Sequence, residues 1–216
     1  MNQGFVSPEL IQVANEILHW AEEFLSTENP LLKRPYGSQE ICPFVKPSIK
    51  SNYFYMAFHP EVNAGSVEPI ADIMLEYINT FKNTHPFKPS EQLKKTLLVI
   101  FPGIPKDQTY VLDAVHRLIK TKFVEQGLMV AQFHENCDET SVHNKKLKVN
   151  TAPHSFMAIR YMAIHDILFL KSHDTPEWFD EYNRRFGDIF RDPEKLDQHT
   201  MPLKDFYIEA KKKFSR

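Results

Sequence analysis

Between Gly127 and Leu170 the chain gathers His134, His143, His154, Cys137 and Arg160. Neutral imidazole is the commonest protein ligand for zinc and iron, and it can also sit axial to haem. His134, His143 and His154 are therefore candidate cofactor ligands, with His134 and His143 the candidates for a bare metal ion. Further upstream, Cys42 precedes Pro43 and is held extended, which can present a thiolate in a fixed direction as an alternative haem ligand. Glu135, flanked by Asp138 and Glu139, is a candidate base. The implied chemistry is binding of a metal ion or haem. The spacing matches no standard metal signature, for HExxH, CxxC pairs and HxH are all missing from the sequence. The plainer alternative has solvated loop histidines and an inert Cys42 in a loop covering a sheet.

Arg160 stands inside the apolar run Phe156-Met157-Ala158-Ile159-Arg160-Tyr161-Met162. On a strand it shares a face with Phe156, Ala158 and Met162. A guanidinium among such neighbours needs a partner. That partner is either an internal acid, for example Asp166 or Glu135, or the carboxylate of a bound substrate, which suits the planar fork. The second reading predicts that the fork points to the strand edge bearing His134.

These residues need elements to position them. Ser7-Pro8-Glu9 starts a helix expected over 7–27, with Leu10, Val13, Ile17, Trp20, Ala21 and Phe24 recurring at helical spacing. Residues 29–52 hold four prolines and cannot form a long helix. Tyr53–Phe58, Thr96–Phe101 and Leu128–Phe133 read as buried strands. Between them lie a helix with stripe Ile70, Ile73, Met74, Tyr77, Ile78 and Phe81, and a second with Val111, Leu112, Val115, Leu118, Ile119 and Phe123 inward. Gly127 caps the second helix. Strand, helix, strand, helix, strand is a βαβαβ unit and implies parallel neighbours. Phe156–Met162 adds an antiparallel strand. The expected fold is one mixed α/β domain over 1–216, with its core at 52–162 and a helical part at 163–216. His59 and His134 both lie at C-terminal strand ends, the edge where open α/β sheets bind ligands.

The segments ICPFV (41–45), TLLVIFPGIP (96–105), FVEQGLMVAQFH (123–134), His143-Asn144 and PHSFMAIRYMAIHDILFL (153–170) resemble a bacterial family described as a domain of unknown function. The likeness covers most of residues 38–190 and implies a place in natural-product gene clusters. The chain departs from that pattern at Tyr161, where the family tends to have His, and at His154. The early Cys-Pro-Phe unit and the later histidine segment also bear a distant likeness to haem-dependent N-hydroxylases. That likeness implies oxidation of a small amine or amino acid.

Composition sets further bounds. Twenty-six basic and 28 acidic residues leave a net charge of −2, which argues against nucleic-acid binding through a general basic surface. No apolar run reaches membrane-spanning length. Two cysteines make no disulfide framework, and no basic segment with an apolar h-region opens the chain, so a soluble cytoplasmic protein is expected. A small-molecule substrate, with or without a carboxylate, and a homodimer fit this reading. The competing function is a cofactor-free binding or accessory protein of a biosynthetic pathway, docking through exposed Phe and Trp residues near its C-terminal helices.

Overall fold

The computed structural model describes residues 7–32, 40–63, 66–172 and 176–214. Residues 33–39, inside the stretch expected to be irregular, fall outside that range. Helix α1 (Pro8–Trp20) begins as the Ser-Pro-Glu signal predicts, with the Ser7 hydroxyl accepting from Leu10 N at 3.4 Å. A π-helical turn, Ala21–Leu25, extends it. The short α2 (Val45–Lys50) admits Pro47 at its third position, within the first turn, where the proline N–H is not missed.

The chain continues through β1 (Phe54–Phe58), α3 (Val67–Lys82), β2 (Thr96–Ile100), α4 (Val111–Glu125), β3 (Leu128–Phe133), β4 (Phe156–Tyr161), α5 (Pro176–Arg191) and α6 (Lys204–Phe214). The sheet order is β1-β2-β4-β3. β1 and β2 are parallel neighbours, and β4 runs antiparallel to both β2 and β3. This is the expected mixed α/β fold with one correction. β3 keeps the direction of β2 but does not pair with it, because β4 is inserted between them. Both faces of β4 are covered: Met157, Ile159 and Tyr161 join the core under α3 and α4, while Phe156 joins the core under α1.

The helices complete three packed regions. α3 and α4 cover Leu97, Val99, Val130, Met157 and Ile159. α1 covers the opposite face at Leu98, Ile100 and Phe156. α5 and α6 build a third core against Val124, Met129 and Met162. Trp178, Phe179, Phe190 and Phe214 are buried in that third core and so do not present a surface, while Phe186 and Phe206 are partly buried against it. β1 is half-buried rather than buried, since it is an edge strand. Leu118 is 57% exposed and not inward as its spacing suggests. Gly127, just beyond α4, adopts φ 71°, the left-handed turn that helix endings favour. No helix among the described residues is long and apolar enough to cross a membrane.

Lys95, just before β2, is wholly buried. Its ammonium donates to the carbonyls of Phe81 (2.7 Å) and Thr84 (2.5 Å) at the end of α3. It also lies over the rings of Phe81 and Tyr161. Burial pushes the Lys95 amine down to about 8. The folded chain therefore releases this proton at a pH where the unfolded chain still holds it. The unfolded state binds more protons above pH 8, so this group makes stability rise with pH there. Unfolding free energy measured from pH 7.5 to 9.5 should show a steeper upward slope for the wild type than for Lys95→Met. Parallel curves would contradict the assignment.

Candidate functional site

β1, β2 and β3 share a direction, so their C-terminal ends form one edge of the sheet. Loops from that edge carry His59, His134 and His154. Gly103 lets the loop after β2 pass against the loop after β1, for a Cβ there would lie 2.6 Å from the Val62 carbonyl oxygen.

His59 is fully engaged. Its Nδ1 meets Glu61 Oε1 at 2.8 Å, its Nε2 meets the Tyr77 hydroxyl at 2.9 Å, and its ring stacks on Phe101. His154 turns towards α1, where its Nε2 meets Glu16 Oε2 at 2.6 Å. His143 is exposed in the loop after β3. Glu135 pairs with Lys106 at 2.9 Å, with both groups well exposed.

His134 is different. The alternation of β3 continues through Gln132 to His134, placing both on the α4 side with Leu128 and Val130. Its backbone is pinned by parallel pairing with Thr151, through His134 N to Asn150 O and Ala152 N to His134 O. The side chain is 1% exposed. Nε2 lies 3.2 Å from Oδ1 of Asp113, which stands in the first turn of α4. A carboxylate is favoured there by the helix dipole. The same Oδ1 accepts from Gln132 Nε2 at 3.1 Å. With Nε2–H donated to Asp113, Nδ1 carries a lone pair, and that atom is buried without a hydrogen-bond partner. Gln132 Oε1 is buried and unpartnered as well.

Cys137 completes the group. The turn after β3 brings it back, with Cys137 N donating to His134 O at 3.2 Å and Thr151 Oγ1 donating to Cys137 O at 3.0 Å. Donor atoms of Asp113, His134 and Cys137 all lie within 4.8 Å of one another. Burial pushes the Cys137 thiol up to about 11, with nearby Asp113 adding to the effect, so in this state it is a neutral thiol. Among the described residues, no other group of three His, Cys, Asp or Glu side chains forms such a cluster.

From the sequence, His134 stands out as a ligand candidate and Cys137 as a nearby thiol, while Asp113 does not; the fold brings the three together. A first-turn acid on a helix reads as a dipole partner, and only tertiary packing carries it to His134. The structure does not join His134 to His143 or His154 in one cluster.

Arg160 and Cys42 belong to another place. β4 is antiparallel, so Phe156 pairs with Ile100 and Phe133, whereas Arg160 pairs with Thr96 and Met129 at the starts of their strands. Four residues separate Arg160 from Phe156, roughly 14 Å along a strand. The expected fork pointing to the His134 edge is corrected, because the fork lies at the opposite edge. Its terminal nitrogens meet Asp166 Oδ2 and Oδ1 at 2.7 and 2.6 Å, and the guanidinium lies over the Phe44 ring. Asp166, 3% exposed, also accepts from Ala163 N. The internal acid is thus the partner of Arg160. Cys42 sits beside this pair, and burial pushes its thiol up against the opposing pull of the Arg160 guanidinium. Cys42 and His134, the two alternative haem ligands, stand at opposite edges of the sheet.

A family model described as "Domain of unknown function (DUF6875)" matches residues 14–197, and the chain belongs to that family. No curated protein and no solved structure shows significant similarity to it.

Proposed function

We propose that this protein performs an iron-dependent oxidation, such as N-hydroxylation, of a small amine or amino acid in bacterial secondary metabolism. The observation that carries the proposal is the buried His134 imidazole at the C-terminal sheet edge, grouped with Asp113 and Cys137 within 4.8 Å. An imidazole, a carboxylate and a sulfur brought together by the fold are a donor set that suits iron. The surroundings favour the non-haem branch. The imidazole is closed in by Asp113, Gln132 and Cys137, small polar donors that suit a single ion. Asp113 is 32% exposed, so the group reaches solvent on that side. The substrate class rests on the likeness to N-hydroxylases, not on Arg160, whose fork is already satisfied by Asp166.

The test is oxygen uptake by the Fe(II)-loaded protein, with ascorbate supplied as the two-electron donor, across a panel of small amines and amino acids, with products weighed by mass spectrometry. The expected result is substrate-dependent oxygen consumption with one oxygen atom added to the amine and the other released as water, lost in His134→Ala. Loaded protein that consumes no oxygen with any member of the panel, or His134→Ala acting as the wild type does, would overturn the reading.

A further inference from the structure

We infer that Asp113, His134 and Cys137 form a three-ligand site for one divalent first-row transition ion, bound without a porphyrin. The inference rests on the functional reading above for its place at the sheet edge, but its ligand set stands on geometry alone.

Three independent elements deliver the donors: the first turn of α4, the end of β3 and the turn that follows it. Ligands about 2.0–2.3 Å from a tetrahedral ion lie roughly 3.3–3.8 Å apart. The present spread of up to 4.8 Å therefore needs a contraction of about 1–1.5 Å at most. That change is within side-chain reach, since Asp113 is partly exposed and its carboxylate can turn.

The chemistry of the set is coherent. It offers one carboxylate, one imidazole and one sulfur, a mixture that suits iron, cobalt or zinc and disfavours magnesium or calcium. Three protein ligands leave a coordination position for water or substrate, the pattern of catalytic sites. The ion would replace the contact between His134 Nε2 and Asp113 Oδ1, which lie 3.2 Å apart, and Gln132, whose amide nitrogen already meets Asp113, has its buried Oε1 without a hydrogen-bond partner. Buried polar atoms are ordinarily satisfied, so this orphan beside three ligand-type side chains points to an absent binding partner. Gln132 donates to Asp113 from its amide nitrogen, which leaves its carbonyl end beside the cluster to accept from an ion-bound water.

Cobalt(II) titration of the metal-free full chain tests this. The expected result is saturation at one equivalent, with a sulfur-to-cobalt charge-transfer band in the near ultraviolet and visible d–d bands of a low-coordinate site. Cys42→Ser should keep the charge-transfer band, and Cys137→Ser should lose it and weaken affinity at least tenfold. Asp113→Asn, with the fold checked by circular dichroism, should weaken binding by a similar factor. If Cys137→Ser fails to fold, the band in the wild type and in Cys42→Ser still decides, because the chain has only these two cysteines. Binding without a sulfur band, or a band lost in Cys42→Ser, would overturn the site. Haem uptake with no cobalt binding would overturn it while leaving iron-dependent oxidation standing. A confirmed cobalt site in a protein inert to oxygen and amines would instead overturn the oxidation and leave the site.

Discussion

Asp166→Ala should destabilise the fold by about 3–5 kcal/mol, more than any other single change at an ionised residue considered in the chain. Asp166 is the bidentate partner of Arg160 at 2.6 and 2.7 Å and also takes the amide of Ala163. Removing it strands a guanidinium in largely apolar surroundings and leaves a buried N–H unmet. The penalty comes from the unpaired charge and not from the worth of the pair itself. The double change Arg160→Met with Asp166→Leu should therefore cost less than Asp166→Ala alone. Arg160→Lys keeps the charge but loses the fork, and should lower the melting temperature. Chemical denaturation of the four proteins checks these expectations. A loss below about 1 kcal/mol for Asp166→Ala would mean that the pair behaves as a solvated surface bridge.

His134→Ala should abolish iron retention while leaving the far-ultraviolet circular dichroism unchanged. The neighbouring imidazoles are engaged elsewhere: His116 with the Val130 carbonyl, His59 with Glu61 and Tyr77, and His154 with Glu16. The stability loss should be about 1–3 kcal/mol, since the ring is buried and Asp113 and Gln132 lose a neighbour. Cys42→Ser should retain iron fully, for Cys42 lies at the other sheet edge beside Arg160. Metal analysis after gel filtration separates the outcomes. Iron kept by His134→Ala would make the residue a packing group.

The strands were legible because each is a short, continuous apolar run bounded by Pro, Gly or a polar turn, and the helices because their stripes recur at helical spacing. The order of the sheet was not. Whether β4 lies at the edge or between β2 and β3 depends on pairing between segments far apart in sequence, which leaves no local signature. The same cause displaced Arg160. Its face and its need for a partner follow from period two and burial, with Asp166 one of several partners that fit, but the choice of partner and its distance from His134 follow from the register of β4. His134 could be singled out as a histidine closing an apolar strand. Asp113 could not, since 21 residues separate it from His134 and only the packing of α4 on β3 brings them together. Leu118 failed for a simpler reason: it lies at the margin of the α4 stripe, and no element covers that margin enough to bury it.

The most direct measurement is the iron content and visible spectrum of the protein purified from cells supplied with both iron and a haem precursor. A non-haem centre at His134 predicts about one iron per chain and no Soret band. Protein that stays colourless and iron-free after that supplementation would contradict it.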